Sequence, residues 1–154
     1  MNLLQIISAV VWVDFFTIAL HKFINLGRSL DTWYAQFGMV AVVSDCLVIV
    51  LGILLAQLLF APTALIGLVL TSVGIQVVHD VLFYLFVILP IPEGHNSMID
   101  LFKQYAIENS WKILPYDSFM IASTVLLASQ LRGKWTPFVG LLGVYALTYI
   151  IYTR

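Results

Sequence analysis

Six polar side chains stand where their neighbours avoid water: Asp14, Asp45, Gln76, His79, Asp80 and Asp117. The clearest case is the stretch GIQVVHDVLFY, residues 74–84, inside an apolar run from Thr63 to Ile91. An ionisable group at the centre of a membrane helix costs at least about 2.5–3.5 kcal/mol, so such groups turn inward and find partners. Two chemistries fit four acids beside one imidazole. One is a hydrogen-bond network that fixes helix register, with the acids protonated or paired. The other is a proton or cation path that uses the excess negative charge.

The rest of the chain decides what surrounds these groups. Of 154 residues, 62% are hydrophobic and 10% charged, whereas soluble domains carry about 25% charged residues. That is too little polar surface to cover a water-soluble globule. Several apolar runs reach the length of about 18 residues that reads as a transmembrane helix. The expected fold class is therefore an all-α integral membrane protein, one polytopic domain over residues 1–154. The net charge of −1 gives no basic surface for nucleic acid and no polybasic tail for anionic lipid. Cys46, the single cysteine, reads as a small buried hydrophobe. The opening MNLLQIISAVVW has neither the basic n-region nor the cleavage site of a signal peptide and reads as a retained span.

Five spans are expected, over residues 3–20, 37–60, 63–91, 113–131 and 136–152. His21, Lys22 and a turn at Asn25–Gly27 end the first, and KFINLGRSLDTWYAQ follows as a polar connector. Ala61–Pro62 joins the second and third, with Pro62 placed in the first helical turn. An Arg-Gly-Lys joint links the fourth and fifth. Both short joints predict antiparallel packing of the spans they connect. The third span is long: about 29 residues at 1.5 Å each reach roughly 43 Å, more than the ~30 Å hydrocarbon core, so it tilts or projects near Pro90 and Pro92.

Between the third and fourth spans, residues 97–109 read as an amphipathic helix at the membrane surface, capped by Asn96 or Ser97, with Ser97 and Asp100 approximating a capping box. Ile99, Phe102, Tyr105 and Ala106 share its apolar face, and Lys103, Gln104 and Glu108 the other. It either caps the bundle or docks a partner, with Trp111 at headgroup depth. Lys22, Arg28, Lys103, Lys112 and Arg154 fall on one side of such a bundle and Arg132 and Lys134 on the other. The richer side is expected to face the cytosol, leaving the N-terminus non-cytosolic and the C-terminus cytosolic.

In this frame Asp14, Asp45 and Asp80 lie roughly 10, 12 and 16 Å from the cytosolic ends of their spans. Asp117 enters from the same side. The short Ala61–Pro62 joint sets Asp45 at the height of His79 and predicts that they meet. Gln76, His79, Asp80 and Phe83 follow i, i+3, i+4, i+7 spacing and share a face. Because neighbours on a helix differ by about 100°, one of His79 and Asp80 is expected to meet the second span and the other the first or fourth. Gly38, Ala41, Asp45, Gly52 and Ala56 form a small-residue face on the second span, with Gly140 and Gly143 alike on the fifth. The outer half offers only Thr71, Ser72, Gln57 and glycines, so a complete path is not visible.

Other chemistry is weakly signalled. His21, His79 and His95 lack metal-ligand spacing, and no hydrolase, phosphate-loop or nucleophile–base motif occurs. Glu93, His95 and Asp100 form at most an interfacial acid/base group. The expectation is no enzyme, no cofactor and no metal.

The stretches HDVLFYLFVILPIPEGHNSMIDLFKQYA and PYDSFMIASTVLLAS, with YAQFGMVAVVSDCLVIVLGILLAQ, resemble small multi-pass membrane proteins encoded by large nucleocytoplasmic DNA viruses of algae and protists. The resemblance covers roughly residues 34–129. It implies a structural protein of a virion internal membrane or host endomembrane, supporting or anchoring a capsid. The expected partners are the lipid bilayer, a capsid or other membrane proteins, and further copies of the chain. It assigns no functional residues. A small proton- or cation-conducting channel or transporter built on the Asp/His cluster is the alternative.

Overall fold

The computed structural model describes residues 1–24 and 27–153. The expected turn at Asn25 and the position of Arg154 lie outside the described residues. Among those described, the chain is all-α with no strand: α1 (Leu3–Ile24), α2 (Arg28–Phe37), α3 (Met39–Phe60), α4 (Leu65–Phe83), α5 (Ser97–Asn109), α6 (Ile113–Gln130) and α7 (Thr136–Ile150). Three helical stretches are long and apolar enough to cross a membrane: Leu3–Ile24, Met39–Phe60 and Leu65–Ile88. Helix α7 is apolar but shorter.

Helix α1 is central, packing on α3, α6 and α7, while α4 packs on α3 and α6. Ile6, Val10, Ile18, Ile53, Ile121, Val125 and Leu147 fill the interior. Large apolar side chains also cover the outside, among them Phe16, Leu51, Leu58, Leu70, Phe119 and Leu141. A soluble bundle keeps its apolar stripe for the core; helices apolar all round belong in a core or a membrane.

Five expectations change. The polar connector after α1 contains a helix, α2, whose Leu30, Trp33, Tyr34 and Phe37 follow i, i+3, i+4, i+7 spacing. Gly38, at φ 52°, separates α2 from α3, so the second long helix begins at Met39 and not at Phe37. The joint before α4 is longer than Ala61–Pro62. Ala61 adopts a left-handed conformation and α4 starts at Leu65, leaving Pro62 ahead of the helix. Fourth, α4 widens into a π-helical turn at Tyr84–Ile88, closed by Leu89 N–H donating to the Tyr84 carbonyl, and ends before Pro90.

The fifth change concerns α7. Despite the short joint to α6, it packs chiefly on α1. Gly140 and Gly143 make this approach possible: a Cβ at Gly140 would stand 2.5 Å from Ser8 Oγ, and one at Gly143 2.7 Å from Val11 Cγ2. Close backbones then allow polar bonds between the helices. Ser8 Oγ donates to the Thr136 carbonyl (3.0 Å) and Trp12 Nε1 to the Val139 carbonyl (2.9 Å). Small residues let two helix backbones approach closely enough for such interhelical hydrogen bonds to form.

Gly140→Ala and Gly143→Ala should each lower the thermal stability of the detergent-solubilised protein, by about 1–3 kcal/mol, the usual cost of overpacking. Gly74→Ala, where a Cβ meets open space, should cost nothing in the same thermal unfolding assay.

Candidate functional site

The carboxylate Asp45 sits two turns into α3, half-buried, with no Lys or Arg beside it. Its partners come from α2. Trp33 Nε1 donates to Asp45 Oδ2 (3.1 Å) and the Tyr34 hydroxyl donates to the same oxygen (3.2 Å). Burial first, then the charges of Asp45 and Asp14, hold the Tyr34 phenol well above the usual tyrosine range, so it stays a donor at neutral pH.

Helix α2 is fixed from both ends. Its first turn has no side-chain cap of its own, Gly27 being the N-cap residue. Glu108 of α5 supplies the missing acceptor: its two carboxylate oxygens take the Arg28 and Ser29 backbone N–H groups, each at 2.9 Å. A carboxylate at a helix N-terminus satisfies orphan donors and meets the positive end of the dipole. Hydrogen bonds from the Ser29 side chain and from the Ser29 and Arg28 backbones hold Glu108 below the usual glutamate range. Farther along, Asp31 Oδ1 lies 3.1 Å from Nε2 of buried His21, and Trp33 packs on Phe37 and on Phe102 of α5.

Helices α2 and α5 thus roof one end of the bundle. Asn96 caps α5, accepting from Met98 N and Ile99 N. Asp100 makes no capping box with Ser97; it accepts from Gly94 N across the preceding loop. Of the apolar face expected for α5, Ile99 is buried and Phe102, Tyr105 and Ala106 turn to the interior, joined by Leu101. Burial raises the Tyr105 phenol above its usual range.

Under this roof lies a cavity of about 660 Å³ between α2, α3, α4, α5 and α6. Asp45, Gln76, His79, Asp80 and Asp117 all line it, as does Phe83. The walls are otherwise mostly aromatic and aliphatic, and no Lys or Arg contributes. Asp14 stands outside the lining, 1% exposed, its Oδ2 accepting from Cys46 Sγ (3.9 Å). Cys46 is therefore half-buried and polar in its contact.

The expected Asp45–His79 pair does not form. Asp45 is taken by α2, and His79, 43% exposed, lies 3.1 Å from Oδ1 of Asp80 and stacks on Phe83. The same Asp80 oxygen accepts from Gln76 Nε2 (2.8 Å). Both His79 and Asp80 thus bond along α4, not to the second and the first or fourth spans. The reason is the helix missed in the connector: its indole and phenol reach Asp45 before the imidazole can. The spacing of Leu30, Trp33, Tyr34 and Phe37 carried that signal.

Glu93, His95 and Asp100 make no acid/base group. His95 turns to the Glu93 carbonyl and Asp100 to Gly94. Among the described residues no set of His, Cys, Asp or Glu is grouped to hold a metal ion. Compared with family models, curated proteins and solved structures, the chain matches none.

If Asp45 is held by α2, Asp45→Asn and Trp33→Phe should each destabilise the protein, and the double variant should cost less than their sum in a double-mutant cycle. His79→Gln should cost little. Glu108 contributes stability that is present above the unfolded glutamate pKa of about 4.5 and lost as pH falls through its lower folded value. Hydrogen exchange at Arg28 and Ser29 should therefore quicken at acid pH, and Glu108→Gln should show fast exchange already at neutral pH.

Proposed function

We infer that the chain is an integral membrane protein in which α1, α3, α4, α6 and α7 all cross a bilayer, with α2 and α5 lying at one face. The observation that carries this reading is the apolar exterior, which runs over all five helices and includes Phe16, Leu51, Leu70, Phe119 and Leu141. Lys22, whose Nζ donates to the Thr153 carbonyl, belongs to the roofed end with Lys103 and Lys112. Arg132 and Lys134 belong to the opposite end. By the excess of basic residues the roofed end faces the cytosol and the N-terminus does not.

Its role is structural: a component of a membrane that supports or anchors a protein layer, in keeping with the likeness to proteins of large DNA viruses and their capsid-bearing internal membranes. A closed interior favours this over conduction. Past Gln76, Ile49 and Met120, which line the cavity, the next turns bring Ser72, Ile53, Ile121, Thr124 and Val125, all buried to 0%. The second reading, a proton- or cation-conducting protein, draws support from the three cavity carboxyl groups. Neither reading gives the chain a catalytic step.

Tags at the two termini should show opposite protease access in intact membranes; both on one side would remove the five-span arrangement. Purified particles of the source virus should contain the protein in stoichiometric amounts. Liposomes holding it should show no more proton or potassium flux than empty ones, and flux abolished by Asp117→Asn would replace the structural reading with the conducting one.

A further inference from the structure

The carboxyl groups of the cavity are unequally satisfied. Asp45 has two donors. Asp80 uses one oxygen for Gln76 and His79, while its Oδ2 is shut from solvent with no partner. Asp117 accepts no hydrogen bond from another described residue. Gln76, 3% exposed, gives its amide N–H to Asp80, and its carbonyl oxygen, near Gly52, accepts nothing from another described residue. Buried acceptors without donors are costly, and the cavity lining supplies no Lys or Arg to meet them.

Aromatic rings surround these acceptors. Trp33, Phe83, Tyr84, Phe102, Tyr105 and Tyr116 all line the same space. Ring faces attract cations, and clusters of them recognise ammonium groups. The mouth is formed by lining residues that are themselves exposed: Val81, Tyr84, Leu85 and Trp111, with His79 at its polar edge. These belong to the end of α4, its π-helical turn and the segment before α6. π-Helical turns recur at functional sites, where they re-aim side chains.

We propose that this cavity binds a protonated primary amine, its N–H groups donating to Gln76 Oε1 and Asp117 while the nearby Asp80 carboxyl group and the aromatic walls hold the charge and any attached chain. The free acceptors select N–H donors, so a quaternary ammonium of equal size binds less well. The apolar mouth admits an amine that carries hydrocarbon. The absence of a basic residue in the lining disfavours a headgroup whose phosphate must enter with the amine. The site does not depend on the structural role inferred above: an amine could bind whether or not the chain anchors a protein layer.

The test is calorimetric titration of the full chain in neutral detergent at pH 7 with octylammonium, octyltrimethylammonium, octanol and butylammonium. Octylammonium should bind with one site per chain, more tightly than octyltrimethylammonium, and octanol should not bind. Asp117→Asn and Gln76→Leu should each weaken octylammonium at least about tenfold, the loss expected for a charge-assisted hydrogen bond. Asp100→Asn, outside the cavity, should leave it unchanged, and circular dichroism should confirm that each variant is folded. Butylammonium binding as tightly as octylammonium would assign a water-soluble amine; a marked preference for the longer chain would assign a membrane-borne one. Equal binding of octanol, or cavity variants that are folded and bind octylammonium as the parent does, would overturn the proposal.

Discussion

A carboxyl group inside an apolar bundle must be met by donors, and in this protein the donors for Asp45 come from outside the bundle. Trp33 and Tyr34 reach it only because α2 folds back over the helix ends. That position in turn needs an acceptor for the first turn of α2, which Glu108 of α5 provides. Helix α5 is held by the Asn96 cap and by Lys103, which donates to the Ile91 carbonyl. The roof, the cavity beneath it and the turn that ends α4 are thus linked, bond by bond, to one carboxyl group in the bundle. Removing an interaction of this kind costs the desolvation of the group left behind, which exceeds the net value of the bond itself.

Much of this was legible in the residue order. Apolar length gave the helices, and the i, i+3, i+4, i+7 spacing of Gln76, His79, Asp80 and Phe83 put them on the face that now lines the cavity. Gly140 and Gly143 announced a close helix contact but not its partner, because spacing shows that a backbone approaches and not which one. Partner choice was also lost at Asp45. Depth arithmetic along the hairpin brought His79 to its height, yet direction around the helix and competition from Trp33 decide the bond. The connector that carries Trp33 looked polar on average, and averaging hid its apolar stripe. The π-helical turn left no mark in the spacing, since one extra residue in a turn changes no residue type.

The interior divides into unlike halves. Near the roof, polar groups face open space and several acceptors lack donors. Farther in, Thr124 and Thr71 bond back to the carbonyls of their own helices, and the Ser72 hydroxyl is buried without a partner. Such back-bonds need no neighbouring helix.

The link between Asp45 and the roof can be observed at a single proton. In the protein labelled with nitrogen-15 at its tryptophans, the indole N–H of Trp33 should resonate downfield and exchange slowly with solvent. Both features should vanish in Asp45→Ala, which removes the acceptor, while the exposed Trp135 stays unchanged. A Trp33 indole proton that exchanges as fast as that of Trp135 in the parent protein would contradict the account.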